Sequence, residues 1–115
     1  MDAVHAVPTE SLSEKLSVQR LSEKLELTQM RANVFTLAEG SMSRHLHREQ
    51  EELYVVLDGT AMVDVDEAHH KLGERDALVV PPHAWHRVSN IGFGPLTFLV
   101  VAAPPAAGDA EIEAG

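Results

Sequence analysis

Three histidines and one glutamate in the middle of the chain are of the residue types that bind divalent metal ions. His45 and His47 are two residues apart, Glu52 comes five residues after His47, and His86 follows a double proline. Alternate residues of a β-strand share a face, so a strand here would direct both imidazoles of the pair toward one ion. An isolated His-x-His pair is more often exposed or hydrogen-bonded than ligating. The residues around the pair must therefore decide its role.

The chain has no cysteine, so disulfides, thiolate ligands and a cysteine nucleophile are excluded. Any metal must be held by nitrogen and oxygen ligands. That mixture suits Fe(II), Mn(II), Ni(II), Cu(II) or Zn(II) and does not choose among them.

The spacing around the four residues resembles the two sequence motifs of the cupin family. The first motif is matched in order by a glycine, the His-x-His pair, a glutamate and a glycine, which are Gly40, His45, His47, Glu52 and Gly59. The second is matched by Asp76, Pro81, His83, His86 and Asn90. The resemblance covers about residues 25–102. It implies an all-β jelly-roll barrel, also described as a double-stranded β-helix, with one divalent transition metal ion on His45, His47, Glu52 and His86.

The chain departs from the family pattern at three places. Four residues instead of five separate Gly40 from His45, a loop change that is easily tolerated. Arg75 precedes Asp76 where the family usually has a glycine, so we expect the turn there to be built differently. His83 replaces the glycine of a Pro-x-Gly turn. If the backbone there needs a positive φ, histidine adopts it less easily than glycine.

The elements that must position these residues are predicted to be short strands. From Leu25 onward, β-branched runs alternate with turn signals every 8 to 12 residues, which is typical of a β-sandwich or barrel. Asp58-Gly59 is a strong hairpin signal. We divide the chain into an N-terminal segment 1–24, a barrel 25–102 and a disordered tail 103–115. The N-terminal segment is partly disordered or holds an edge strand at Leu16–Leu21 before a turn at Ser22–Lys24, and a short amphipathic helix is the alternative.

Two further residues are candidates for catalysis. Tyr54 shares strand parity with Glu52 and should line the same cavity, where it either orients a ligand or simply packs. His83 is either an acid–base group at the barrel mouth or a turn residue, and we favour the turn. Arg31 and Asn33 lie on an early strand, where an edge or interface role is favoured over contact with an anionic substrate.

Charge and composition exclude several partners. The formal net charge is −9, and a nucleic-acid binder normally carries a concentrated basic face. There is no run of 18 apolar residues and no secretory signal pattern, so we expect no membrane partner and a cytoplasmic location. Residues 49–51 are interpreted as a solvated acidic turn. Runs such as LYVVL and TFLVVA are apolar on both faces, which predicts a homodimer.

These observations lead to a leading function and one alternative. We expect a metal-dependent enzyme that acts on a small organic molecule, dioxygenase-like or isomerase-like, since four protein ligands leave up to two positions open on an octahedral ion. The alternative is a non-catalytic module that binds a sugar or another metabolite. It is supported by the scarcity of acid–base groups near the predicted ligands.

Overall fold

A computed structural model of the chain describes residues 3–114. Within this range there are twelve strands and one short helix. In chain order they are β1 Thr9–Ser11, β2 Leu16–Gln19, α1 Leu21–Lys24, β3 Arg31–Leu37, β4 Gly40–Ser41, β5 His45–His47, β6 Glu51–Asp58, β7 Ala61–Val65, β8 Ala68–Leu72, β9 Ala77–Val80, β10 His86–Asn90, β11 Leu96–Ala103 and β12 Ala110–Ile112. No helix in this range is long and apolar enough to cross a membrane.

The strands form two antiparallel sheets that enclose one core. The first sheet has the order β1-β2-β3-β11-β6-β9. The second has the order β12-β5-β10-β7-β8. The short strand β4 pairs with Ser89 and Asn90 at the end of β10. Several neighbours, such as β3 and β11 or β5 and β10, come from distant parts of the chain, as in a jelly-roll barrel. The predicted all-β fold is confirmed.

The core follows from alternation along the strands. In β11 every second residue faces inward, and Leu96 and Phe98 are almost completely buried. Phe98 stacks on Phe35 of β3 and on Tyr54 of β6, with ring centroids 5.7 and 6.1 Å apart. These inward rows of the first sheet form one wall of the cavity described below.

A turn is present at Asp58-Gly59, but the predicted hairpin is wrong, because β6 and β7 lie in different sheets and do not pair with each other. Gly59 has a φ of 94°, and a Cβ atom there would lie 2.7 Å from the carbonyl oxygen of Pro95. Only glycine meets both conditions. The turn positions the end of β6, the strand that carries Glu52.

The two non-glycine residues at family glycine positions both adopt the left-handed conformation. Arg75 has a φ of 70° and His83 a φ of 69°. The expectation of a differently built turn before Asp76 is therefore wrong in one respect, because the chain keeps a left-handed residue there without a glycine. The His83 backbone N–H donates to the carbonyl oxygen of His47 at 2.7 Å, so this turn fastens β5.

We expect His83→Gly to be more stable than His83→Ala by about 1 kcal/mol, because a Cβ atom in the left-handed region costs roughly that much. Neither change removes the backbone hydrogen bond to His47. Urea unfolding of the two variants measures the difference. Equal stability would show that the turn holds His83 without strain.

The chain ends differ from the sequence-based prediction in two ways. The N-terminal strand is present at Leu16–Gln19, but the predicted turn at residues 22–24 belongs to helix α1. The tail 103–115 was expected to be disordered, yet β12 within it pairs with β5. Its composition hid the strand, because the strand is held by backbone bonds to β5 and is exposed on all three residues. β5 itself carries His45 and His47, so the C-terminal segment belongs to the site.

Candidate metal centre

The two sheets together bring the four predicted ligands to one point. His45 and His47 lie on β5 and His86 on β10, with His86 directly opposite His45 in the ladder. Glu52 projects from β6 in the other sheet. One ligand atom from each residue can be chosen so that all four lie within 4.8 Å of one another. Atoms bound to one ion at about 2.1 Å are at most about 4.2 Å apart, so small side-chain movements suffice.

Backbone carbonyl groups fix the orientation of two of the imidazoles. The Nδ1 atom of His45 lies 3.1 Å from the carbonyl oxygen of Ser43, and that of His86 lies 3.0 Å from the carbonyl oxygen of Ala84. A proton on each Nδ1 makes these hydrogen bonds and leaves Nε2 with a lone pair. Burial, followed by the charge of His86, lowers the pKa of His45, which favours the neutral imidazole that binds metals.

The surroundings of the Nε2 atom of His86 fit a bound cation better than those of any other described side chain at the site. It lies 2.7 Å from Oε1 of Glu52, but the direction is wrong for a hydrogen bond, and among the described residues it has no hydrogen-bond partner. Two buried electron-rich atoms that face each other at this distance repel. A divalent cation between them removes the conflict. The donor set of three imidazoles and one carboxylate also fits such an ion.

A carboxylate that no sequence motif marked, that of Asp109, lies behind His47. The Nε2 atom of His47 lies 3.3 Å from Oε1 of Glu52, whereas its Nδ1 lies 3.5 Å from Oδ2 of Asp109. The contact with Asp109 does not have hydrogen-bond geometry, and Nδ1 of His47 has no hydrogen-bond partner among residues 3–114. A carboxylate on the far nitrogen of a ligating histidine is a common way to set its tautomer.

Asp109 is itself firmly held. It is 8% exposed, and its carboxylate accepts the backbone N–H groups of Arg48, Glu49 and Gln50. Desolvation opposes ionisation, but these three donors outweigh it and hold the pKa of Asp109 below its ordinary value. Asp109 therefore connects the C-terminal segment to the loop between β5 and β6. No motif marked it, since it lies in a stretch of alanine and glycine.

The loop between His47 and Glu52 is only partly solvated. Residues 49 and 51 are exposed, as predicted, but Gln50 is 3% exposed. Its side chain donates to the carbonyl oxygen of Pro104 at 3.0 Å. The expectation that residue 50 belongs to a solvated turn is therefore wrong, because the C-terminal segment covers it. Glu51 and Glu52 lie on opposite faces of β6, and only Glu52 is buried.

The structure brings only one of the two catalytic candidates to the site. The hydroxyl of Tyr54 lies 3.5 Å from Oε1 of Glu52, and the ring is 4% exposed. Burial and, next, the negative charge of Glu52 raise the pKa of Tyr54 well above its ordinary value, so the hydroxyl keeps its proton. His83 is exposed in its turn. It lines none of the three cavities that are each lined by at least one of the predicted ligands.

A cavity of about 210 Å³ lies between the sheets at this point. Polar groups from the predicted ligands and from β3 line one part of it, and apolar side chains line the rest; the set is Arg31, Asn33, Phe35, Met42, His45, His47, Gln50, Glu52, Tyr54, Val88, Phe98, Val100 and Ala102. An outer cleft of about 520 Å³ also reaches His45 and His47. The centre is therefore accessible to a small molecule.

This fold and site agree with a comparison against known protein families. The model of the Cupin domain family matches residues 33–102, which is more than half of the chain. The chain belongs to the cupin family. The match includes all four predicted ligands, Tyr54 and the strands that carry them. The resemblance inferred from the two motifs is thereby confirmed.

Individual cupins and one curated relative show the same relationship. The chain is 33% identical over 61 residues to an uncharacterised protein of Methanocaldococcus jannaschii, covering 53% of this chain and 49% of that protein, and so spans about half the length of this curated relative. A sugar phosphate isomerase of the cupin superfamily from Silicibacter pomeroyi superposes with a TM-score of 0.78, at 22% identity over 94% of this chain and 88% of that one. A predicted oxalate decarboxylase from Thermotoga maritima superposes with a TM-score of 0.73, at 20% identity over 84% and 91%. At these identities the two structures support the fold alone.

Proposed function

We propose that this cupin is a metal-dependent enzyme that acts on a small organic molecule, in a dioxygenase-like or isomerase-like reaction. His45, His47, Glu52 and His86 hold the divalent ion in this proposal. The unpaired Nε2 of His86 beside Glu52 supports it most strongly, because two buried groups of this kind need a cation between them. Such an ion supplies Lewis acidity at coordination positions that the protein leaves open.

The residues around the centre have separate tasks in this proposal. Phe35, Val88 and Phe98 exclude water from the inner part of the cavity. Tyr54 keeps its proton and can donate a hydrogen bond to a ligand that lies beside Glu52. Asp109 keeps His47 in the orientation in which Nε2 faces the centre.

A non-catalytic binding protein is the second candidate. One observation favours it: among the described residues that line the inner cavity, Tyr54 is the only acid–base group besides the proposed ligands. A tyrosine with a raised pKa is a good hydrogen-bond donor and a poor base near neutral pH. The same cavity would then bind a sugar or another metabolite without changing it.

Metal content and turnover together distinguish the two candidates. Protein purified without an affinity tag is analysed for metals and then supplied with Fe(II), Mn(II) or Zn(II). Oxygen consumption and product formation are followed with panels of sugar phosphates and small organic acids, two classes suggested by the names of the structural neighbours. Substrate-dependent turnover that is absent in Glu52→Gln supports the enzyme. Tight ligand binding without turnover supports the binding protein, and failure to bind any metal contradicts the metal-dependent enzyme.

We also propose that the protein forms a homodimer through the outer face of the first sheet. Leu53, Leu57 and Val79 are 42%, 48% and 60% exposed on neighbouring strands β6 and β9. An apolar patch on a sheet edge is well suited to a second copy. We expect light scattering at micromolar concentration to give the mass of a dimer. Val79→Lys should give a monomer, and Ile91→Lys, an equally drastic change outside the patch, should not. A monomeric unmodified protein would contradict the proposal.

A further inference from the structure

Arg31 lies in the same row of side chains as the proposed ligand Glu52. In the first sheet Arg31 of β3 pairs with Ala102 of β11, and Ala102 pairs with Glu52 of β6. The three residues therefore lie side by side across the sheet and face the same way, about 10 Å from end to end at the usual strand spacing. The middle residue is an alanine, so nothing large stands between the guanidinium and the centre.

Arg31 lies at the start of β3, where β11 is its neighbour on one side. The ladder between β2 and β3 reaches only residues 34–37 of β3, so Arg31 lies at a locally open edge of the sheet, in agreement with the predicted edge position. Arg31 lines the inner cavity together with three of the proposed ligands, His45, His47 and Glu52. It also lines the opening beside residues 106–110. Its side chain is exposed at this mouth, where an incoming molecule meets it first.

Among the described residues, no carboxylate pairs with Arg31. Among residues 3–114, five other Lys and Arg side chains form ion pairs with carboxylates: Lys15, Arg20, Arg44, Arg48 and Arg87. The chain has 18 acidic residues, yet within the described range none of them pairs with Arg31. It is also the only Lys or Arg among the described residues that line the inner cavity. A guanidinium here offers several N–H donors to an anion.

Asn33 adds an uncharged donor to the same wall. It follows Arg31 by two residues on β3, faces Val100 in the ladder and lines the same cavity. Phe35, Val88, Phe98 and Val100 line much of the remainder. The cavity of about 210 Å³ is smaller than typical sites for drug-sized ligands, so it suits a molecule of a few carbon atoms.

We propose that Arg31, assisted by Asn33, binds the carboxylate of a small organic acid whose other end faces the metal centre. The position of the other end at the metal rests on the proposed function. The carboxylate site formed by Arg31 and Asn33 does not require a metal. A divalent ion with one carboxylate ligand keeps a net positive charge, and Arg31 adds another. The cavity is thus positive inside a strongly acidic protein, which selects anionic over neutral molecules of the same shape.

Binding of malonate and of its monoamide, malonamate, tests the proposal. The two compounds have nearly the same shape, but malonamate has an amide in place of one carboxylate. Calorimetric titration of the Mn(II)-loaded protein should show malonate binding at least about tenfold more tightly than malonamate, as expected for a charge-assisted pair. In Arg31→Gln the preference for malonate should shrink by about tenfold, because only the metal then favours the second carboxylate, and the metal content should match that of the unmodified protein.

Two controls separate the anion site from other effects. Arg87→Gln removes the same charge from an exposed position on β10 and should leave the preference for malonate intact. The same titrations on metal-free protein separate the two proposals. A preference for malonate that depends on Arg31 there supports the anion site even if no metal binds. An undiminished preference in Arg31→Gln, or equal binding of both compounds to the unmodified protein in both forms, overturns the inference.

Discussion

Glu52→Gln is expected to lower the affinity of the protein for its metal by more than about 100-fold, whereas Glu51→Gln leaves the affinity nearly unchanged. An amide oxygen is a neutral and weaker ligand than a carboxylate, and even changes to groups behind the ligands commonly cost 10- to 100-fold. Glu52 is 5% exposed and its Oε1 lies near the Nε2 atoms of His47 and His86. Elemental analysis gives the metal content, and competition with a chelator gives the affinity.

Glu51→Gln is a matched control because the two residues are neighbours on β6 with opposite orientation. Glu51 is exposed, so its replacement should change the free energy of unfolding by no more than about 0.5 kcal/mol. Urea unfolding of the metal-free variants shows whether both fold. Equal metal content in the two folded variants, or a greater loss at Glu51, would refute the assignment of the four ligands.

Asp109→Asn is the second change with a large expected effect. We expect metal affinity to fall about 10- to 100-fold, the usual consequence of losing a carboxylate behind a ligating histidine. The asparagine keeps the size of the side chain but loses the charge that faces Nδ1 of His47 and one of the two oxygens that accept the backbone N–H groups of residues 48–50. Chelator competition measures the affinity.

Two further variants distinguish positioning of His47 from a general effect on the C-terminal segment. Glu111→Gln removes a carboxylate from the same segment, where it pairs with Arg48 on the surface at 3.4 Å, and should keep the affinity. Asp109→Glu restores the charge and should recover part of it. The visible spectrum of the Co(II)-loaded protein reports ligand geometry and should change only in Asp109→Asn. If stability falls in that variant while spectrum and affinity stay unchanged, Asp109 only fastens the segment.

Much of the fold and of the candidate site was predictable from local patterns. Strand alternation placed Glu52 and Tyr54 on one face and Glu51 on the other, which the structure shows. Asp58-Gly59 marked a turn, and Gly59 indeed has a positive φ. The predicted hairpin is wrong, however, because the strands that this turn joins lie in different sheets. The alternation and the turn could be predicted because they depend on the two-residue period of a strand and on the backbone freedom of glycine, both of which are local properties.

The residues that were misjudged depend on contacts with distant parts of the chain. Gln50 and Asp109 are separated by 59 residues, yet the Gln50 backbone donates to the Asp109 carboxylate at 3.1 Å. No periodicity in a stretch of alanine, glycine and proline shows that it will return to cover β5. Arg31 was interpreted as an edge or interface residue, and the β2 ladder does stop short of it, but the sequence does not reveal that Arg31 lies in one row with Ala102 and Glu52.

The sequence by itself determined the residue types of the site, since the absence of cysteine and the spacing of His45, His47, Glu52 and His86 restrict the metal ligands to nitrogen and oxygen. It also determined an all-β chain, because short β-branched runs between turn residues favour strands. Only the tertiary structure decided which groups surround those ligands. Asp109 behind His47 and Arg31 across from Glu52 are placed by antiparallel pairing between strands far apart in sequence. Such pairing depends on the register of whole strands and on burial from both sheets, which no local pattern specifies.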